Sequence, residues 1–244
     1  MDVLINADDF GKSQQVNEAI CRCFVEGIIQ RTTIMTTAPF FDQAVELSKV
    51  HGFFDKVGLH LNLDEGMPLS EEMRKNPHFC IDGNYRERVF LAPKYRYVLN
   101  KHDKLSVKQE IVAQMTKYLE AGFTLKHFDS HHFVHNNLSI IFIACRAGKD
   151  LGFVSTRLME IRSSDFFFRT LYKKSINRYL KSVFTTSGQF LQQLNAFEEK
   201  RGNVEFMVHP TLMGEKLVNM VSWNPDRYER FEEYAEFISR IREI

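Results

Sequence analysis

The chain has no long apolar run. Nowhere does it approach the roughly 20 consecutive apolar residues that cross a bilayer. Its first residues, Met1-Asp2-Val3-Leu4-Ile5, pass straight into a strand pattern with no basic segment ahead of it, so no leader is expected. Cysteine is scarce as well. Cys21, Cys23, Cys80 and Cys145 form no CxxC pair, and Cys21 and Cys23 stand two apart on a predicted helix, facing different ways. That excludes a disulfide framework and a zinc-ribbon spacing. Charge of one sign is also lacking. With 32 basic and 31 acidic residues the formal net charge is +1, which argues against a general nucleic-acid binder. There is no internal repeat and no inter-domain linker. The expectation is a reduced, cytoplasmic protein with no nucleic-acid and no membrane partner.

What is present is the composition of a well-packed domain. Of 244 residues, 44% are apolar and 26% charged, enough for a sizeable core and too apolar for disorder. Strand and helix patterns alternate. Val3–Ala7 reads as a strand stopped by the turn-like Asp8-Asp9-Phe10-Gly11. Ser13 caps a helix from Gln14 to Glu26, and Gly27 ends it. Thr32–Thr37 is β-branched, Asp42–Val50 helical, and Val57–Leu63 a third strand with Gly58, His60 and Asn62 on one face. Asp64 to Leu105 shows no periodicity and holds Pro68, Pro77 and Pro93. A connection this long is usually functional, and it is read as a substrate loop. Ser106 is expected to cap a helix to Ala121. A strand at His127–His131, a helix at Leu138–Leu151 and a strand at Val154–Arg157 follow. Arg162–Lys181 is basic and aromatic. It reads as an amphipathic helix or a subunit contact, which leaves a homodimer open, rather than as a nucleic-acid patch. Gln189–Lys200 is helical, Val204–Val208 is a strand ending in His209-Pro210, and Pro225 opens a closing helix from Asp226 to Arg242.

Repeated strand–helix units with polar strand ends predict a parallel α/β architecture. Seven or so such units point to a barrel in one domain spanning 1–244, with its site at the strand C-termini. The polar groups fall there: Asp8 and Asp9, His60, Asp129 and His131, Arg157, and His209.

The densest of these is His127-Phe128-Asp129-Ser130-His131-His132-Phe133-Val134-His135-Asn136. It holds four of the nine histidines, and neutral imidazole is the commonest metal-ligand side chain. In an extended strand His127, Asp129 and His131 share one face. A carboxylate with two histidines is a usual ligand set of hydrolytic metal sites and leaves positions open for water and substrate. Asp9, His60 and His131 can supply it. The mixed nitrogen and oxygen donors suit Zn²⁺, Co²⁺ or Mn²⁺ better than Mg²⁺. Asp8 is then the candidate general base, and His209 the candidate acid, expected to stay protonated near neutral pH if a carboxylate is close. Arg157 is read as holding Asp8 or binding substrate, Asp129 as orienting a ligand histidine, and His135 as a third ligand or a substrate contact. Taken singly, Asp8-Asp9 reads as a turn, and His209 before Pro210 reads equally well as a strand-end histidine satisfied by backbone or as a functional group. The weight lies in their shared position at strand ends.

A resemblance joins these pieces. Asn6-Ala7-Asp8-Asp9-Phe10-Gly11, the Thr32-Thr33 strand, Val57-Gly58-Leu59-His60-Leu61-Asn62-Leu63, Glu65-Gly66-x-Pro68-Leu69-Ser70, Asp129-Ser130-His131-His132-x-Val134-His135 and His209-Pro210 run in the order seen in the YdjC/ChbG carbohydrate deacetylases. The sequence resembles that family over most of its length. The resemblance implies an irregular (β/α) barrel related to polysaccharide deacetylases, a divalent metal (magnesium in the family), and hydrolysis of an N-acetyl group on an amino sugar or short chito-oligosaccharide. By matching position it implies Asp8 as base, Asp9, His60 and His131 as ligands and His209 as acid. Two departures stand out. Phe133 replaces a third consecutive histidine of some relatives, and the chain stops at Ile244 where relatives add a short strand, which leaves a truncated or rearranged barrel closure open. The rival readings are a barrel phosphoesterase, which should place more basic groups near the metal, and a non-catalytic sugar-binding relative. A two-carboxylate glycosidase fits less well, because neighbours Asp8 and Asp9 cannot flank a bond at the roughly 5–9 Å that chemistry needs.

Overall fold

The computed structural model describes residues 3–87, 89, 99–153, 155–156, 204–220 and 228–230. Arg157, the basic aromatic segment and the expected helix at 189–200 lie outside them; of the expected helix at 226–242 the described part, Tyr228–Arg230, is a strand paired to 218–220 instead. In chain order come β1 (Val3–Phe10), α1 (Gln14–Val25), β2 (Arg31–Ile34), α2 (Phe41–Val50), β3 (Val57–Leu61), α3 (Glu71–Arg74), β4 (Cys80–Ile81), β5 (Asn84–Tyr85), α4 (Lys101–Glu120), β6 (His127–Ser130), a 3-10 helix (His131–Asn136), α5 (Leu138–Asp150), β7 (Ser155–Thr156), β8 (Val204–Val208), β9 (Pro210–Met213), β10 (Lys216–Met220) and β11 (Tyr228–Arg230). Among the described residues no helix is long and apolar enough to cross a membrane.

Among the described residues six strands form a curled sheet in the order β7-β6-β3-β2-β1-β8, every pair parallel. The fold is thus mixed α/β, and the sheet makes half a barrel. Period two divides its faces. Ile5, Ala7, Val57, Leu59, Leu61 and Phe128 join the apolar core, which α1, α2, α4 and α5 complete. On α4 the buried Val107, Ile111, Gln114 and Tyr118 recur at helical spacing. The alternate strand positions, Asn6, Asp8, Thr33, His60 and Asp129, are polar and buried all the same. They form the other face.

Several elements differ from expectation. β1 does not stop before Asp8 but runs to Phe10, with its register on β2 broken between Ala7 and Phe10. α4 begins five residues before Ser106. Asn100 caps it by accepting a hydrogen bond from the Asp103 amide at 2.8 Å, and Ser106 is an internal residue that Asn76 bonds. The segment after Asp64 is partly ordered into α3 and the β4–β5 hairpin. The antiparallel sheet β11-β10-β9 was not foreseen.

Gly58 is required by closeness. A Cβ built there would lie 3.1 Å from the His127 ring, 3.1 Å from the Thr33 methyl and 3.3 Å from the His127 carbonyl. All three belong to strands flanking β3. Gly58→Ala should therefore wedge the sheet just below the polar layer and destabilise the protein by about 1–3 kcal/mol, as overpacking does. Urea unfolding checks this, and a variant as stable as the parent would show that the strands can part at no cost.

Candidate metal centre

Two adjacent strand residues normally face opposite ways, yet Asp8 and Asp9 both reach the same cavity. The bulge explains it. Asp9 sits at φ 70°, a left-handed conformation uncommon for a residue with a side chain, and this resets the alternation so that Phe10 returns to the core. Gly11 follows at φ 95°, and its amide donates to the buried Asn17 side chain at 2.7 Å, which pins the turn to α1. β6 ends as sharply: His132 and Phe133 stand at φ 49° and 54°.

The bulge sets Asp9 Oδ1 2.7 Å from His131 Nδ1 and 3.2 Å from His60 Nε2. Neither contact has hydrogen-bond geometry, and Asp9 Oδ1 is a buried acceptor without a hydrogen bond. The three atoms converge within 4.8 Å of one another. A carboxylate oxygen left this way is costly unless a cation meets it. The donor set therefore fits a divalent ion. Burial alone would raise the Asp9 carboxyl pKa, but His131, His60 and Lys12 more than reverse this and hold it well below the usual carboxylate range. His60 shows the same excess of negative charge. Burial disfavours its charged ring, yet the carboxylates of Asp129, Asp8 and Asp9 push its pKa up to about 10.

Each member is held from behind. His60 Nδ1 meets Asp129 Oδ1 at 2.5 Å, and Thr33 donates its hydroxyl to Asp129 Oδ2 at 3.1 Å. Asn6 donates to Asp8 Oδ1 at 2.7 Å. His131 Nε2 lies 2.8 Å from Glu65 Oε2, which Lys12 Nζ also meets at 2.9 Å. His132 stacks on His131 with ring centroids 3.7 Å apart and bonds Asp64 at 2.9 Å.

His209 follows β8, and β8 pairs with β1, so 200 residues of sequence separation become adjacency beside Asp8. Its amide donates to Asn219 Oδ1 at 2.8 Å, and its carbonyl accepts from the Met220 amide at 3.0 Å, both on β10. Burial pushes the His209 pKa below its ordinary value, against the pull of Asp8 and Asp9. This differs from the expected protonated resting state, because burial outweighs the carboxylates. Asp8, Asp9, His60, His131 and His209 line one cavity of about 430 Å³, together with Lys12. Asp129 stands behind His60. His135 is buried, with its ring against the Ser130 hydroxyl, and is not among the cavity's lining residues. Sequence reasoning gave no role to Lys12 or Glu65. Only the motif around Glu65 marked that position.

A family model described as YdjC-like protein matches residues 2–241. A protein of Thermoanaerobacter pseudethanolicus named carbohydrate deacetylase is 29% identical, covering 92% of this chain and 87% of its own. A Vibrio vulnificus protein of the same name is 30% identical over 87% of this chain and 79% of its own. A solved Enterococcus faecalis structure, whose name proposes cellobiose-phosphate cleavage, superposes with a TM-score of 0.67 at 22% identity, over 87% of this chain and 82% of its own, and shares the fold. With the Asp9–His60–His131 convergence set on a curled parallel sheet, the match over nearly the whole length leads to one conclusion: the chain belongs to the YdjC-like protein family.

Proposed function

We propose that this protein is a metal-dependent hydrolase that removes the N-acetyl group from an amino sugar or short chito-oligosaccharide, on an irregular (β/α) barrel of which the curled sheet is half. The observation that carries the reading is the meeting of Asp9, His60 and His131 with Asp8 and His209 in one small-molecule-sized cavity. The relatives named carbohydrate deacetylase supply the substrate class. Asp9, His60 and His131 hold one divalent ion: magnesium by family resemblance, zinc, cobalt or manganese by ligand type. Such an ion, when bound, supplies Lewis acidity toward the amide carbonyl and acidifies water.

The protein's own groups do the rest. Asp8 is oriented by Asn6 and takes the proton of the attacking water. His209 lies on the far side of β1 from His60 and gives a proton to the departing amine. Because burial biases its resting ring to the neutral form against the pull of Asp8 and Asp9, His209 must take up a proton before the amine departs. Asp129 orients His60. Arg157 is proposed to bind the substrate or hold Asp8, and His135 to act from behind through Ser130, which lines the cavity. The segment 64–105 is proposed to choose it, since Glu65 and Glu87 line the cavity and Tyr85 ties the β4–β5 hairpin back to the Asn62 carbonyl at 3.2 Å. A phosphoesterase is less well served. Lys12 is the cation lining the described cavity, and it is engaged by Glu65.

Acetate release from N-acetylglucosamine oligomers, set against phosphate release from a generic ester, tests the reaction. Phosphate release alone overturns it. His60→Ala should lose the metal and the activity while keeping its circular-dichroism spectrum, and unchanged metal occupancy would remove His60 from the ligands. The same histidine makes protons and metal compete. Its folded pKa is raised, so near pH 7 the site holds a proton that the ion must displace. Metal affinity should rise as pH rises from 6 to 8, and binding should release protons, measurable by titration calorimetry in buffers of different ionisation enthalpy.

His209→Ala should slow amide substrates by roughly 10²–10⁴-fold, the range for losing a general acid. An activated ester, whose leaving group needs no proton, should lose far less. Equal losses would assign His209 to substrate positioning.

A further inference from the structure

The two site histidines are held through different nitrogens. His60 hydrogen-bonds through Nδ1, closest to Asp129 at 2.5 Å and also to the Thr33 hydroxyl at 3.2 Å, and turns Nε2 toward Asp9. His131 makes a hydrogen bond through Nε2, to Glu65, and turns Nδ1 toward Asp9. The contacts to Asp9 lack hydrogen-bond geometry, whereas those to Asp129 and Glu65 have it. A neutral imidazole carries one N–H, and the nitrogen that carries it is set by that nitrogen's partner. An ionised carboxylate can only accept. Glu65 Oε2 meets Lys12 Nζ at 2.9 Å as well as His131 Nε2 at 2.8 Å, so it stands as an acceptor between two nitrogen donors.

Glu65 is also delivered to its place. Asn62, just past β3, accepts from the amides of Asp64 and Glu65 at 3.2 and 3.1 Å and donates to the Glu65 carbonyl at 2.6 Å and to Thr37 at 2.7 Å. The backbone of Glu65 is therefore tied to the end of the very strand that carries His60. Its side chain closes a ring of charges: Asp9 to His131, His131 to Glu65, Glu65 to Lys12, and Lys12 back to Asp9 Oδ2 at 3.9 Å.

We propose that Glu65 is a positioning residue of the metal centre, one that accepts the Nε2–H of His131 and so commits this histidine to bind through Nδ1 while His60 binds through Nε2. The inference rests on the metal reading of the site. Nδ1 lies closer to the main chain than Nε2, so His131 would present its ligand atom nearer the end of β6. Lys12 pairs with Glu65 Oε2 at 2.9 Å and holds its carboxylate beside His131.

The test is zinc binding to the metal-free full chain, followed by calorimetry and by long-range ¹H–¹⁵N NMR of the zinc-loaded imidazoles. Glu65→Ala should weaken zinc binding by roughly 10–100-fold, the usual effect of losing the partner of a ligand histidine. Glu65→Gln, whose amide oxygen can accept the same N–H, should recover most of the loss. A residue that merely braced the loop would not restore affinity through this one acceptor. In the loaded wild type His131 should carry its proton on Nε2, and His60 on Nδ1. Wild-type zinc affinity in Glu65→Ala, or His131 coordinated through Nε2, overturns the proposal while leaving the metal centre standing. Failure of the wild type to bind zinc or any other divalent ion overturns both.

Discussion

A buried carboxylate oxygen must meet a cation or a hydrogen-bond donor, and Asp9 Oδ1 faces two imidazole nitrogens that approach it outside hydrogen-bond geometry. This one atom organises the site. The positive φ of Asp9 puts it there, and the bulge that carries the strain is held on one side by Gly11 and Asn17 and on the other by pairing to β2 and β8. A regular strand would send Asp9 into the core and leave Asp8 alone at the cavity. Both candidate roles, ligand and base, thus depend on a single break in alternation.

Around that atom the sheet keeps a polar face buried. Asn6, Asp8, Thr33, His60 and Asp129 take positions that most parallel sheets give to Val, Ile and Leu. Such groups are tolerated only when bonded, and here they bond one another: Asn6 to Asp8 and Thr33, Thr33 to Asp129, Asp129 to His60. The layer is one network across four strands rather than several independent pairs. It holds more negative than positive charge until a proton or an ion enters, and the raised pKa of His60 is the sign of that imbalance.

Much of this was legible in the sequence, because strand ends, histidine density and period two are local signals. His60 and His131 were found that way, and β3, α1 and α5 fell close to their expected bounds. What escaped was non-local. Nothing in Asp8-Asp9-Phe10-Gly11 distinguishes a turn from a bulge, since the difference lies in pairing to β2. Ser106 looked like a cap because Ser caps helices, but Asn100 offered the same chemistry earlier, and Ser106 bonds Asn76, 30 residues away. The two-residue strands β4 and β5 are too short to show a period. Glu65 drew attention only through its motif, because its partner His131 lies 66 residues further on.

The position of Glu65 also bears on how the parts of the site are joined. It is the second residue of the 64–105 segment, so the stretch proposed to choose the substrate starts at a side chain that touches a candidate ligand histidine. The same segment is anchored again where Glu110 on α4 accepts the amides of Leu69 and Ser70 at 3.0 and 2.7 Å, and where Tyr85 bonds the Asn62 carbonyl. Asn62, Glu65, Ser70 and Tyr85 form a set of ties between the end of β3, the hairpin and α4. Displacing the hairpin would strain Asn62, and through Asn62 the backbone of Glu65. The segment therefore shares its mechanical support with the metal centre, and a change made to alter substrate preference would act on the orientation of His131 as well.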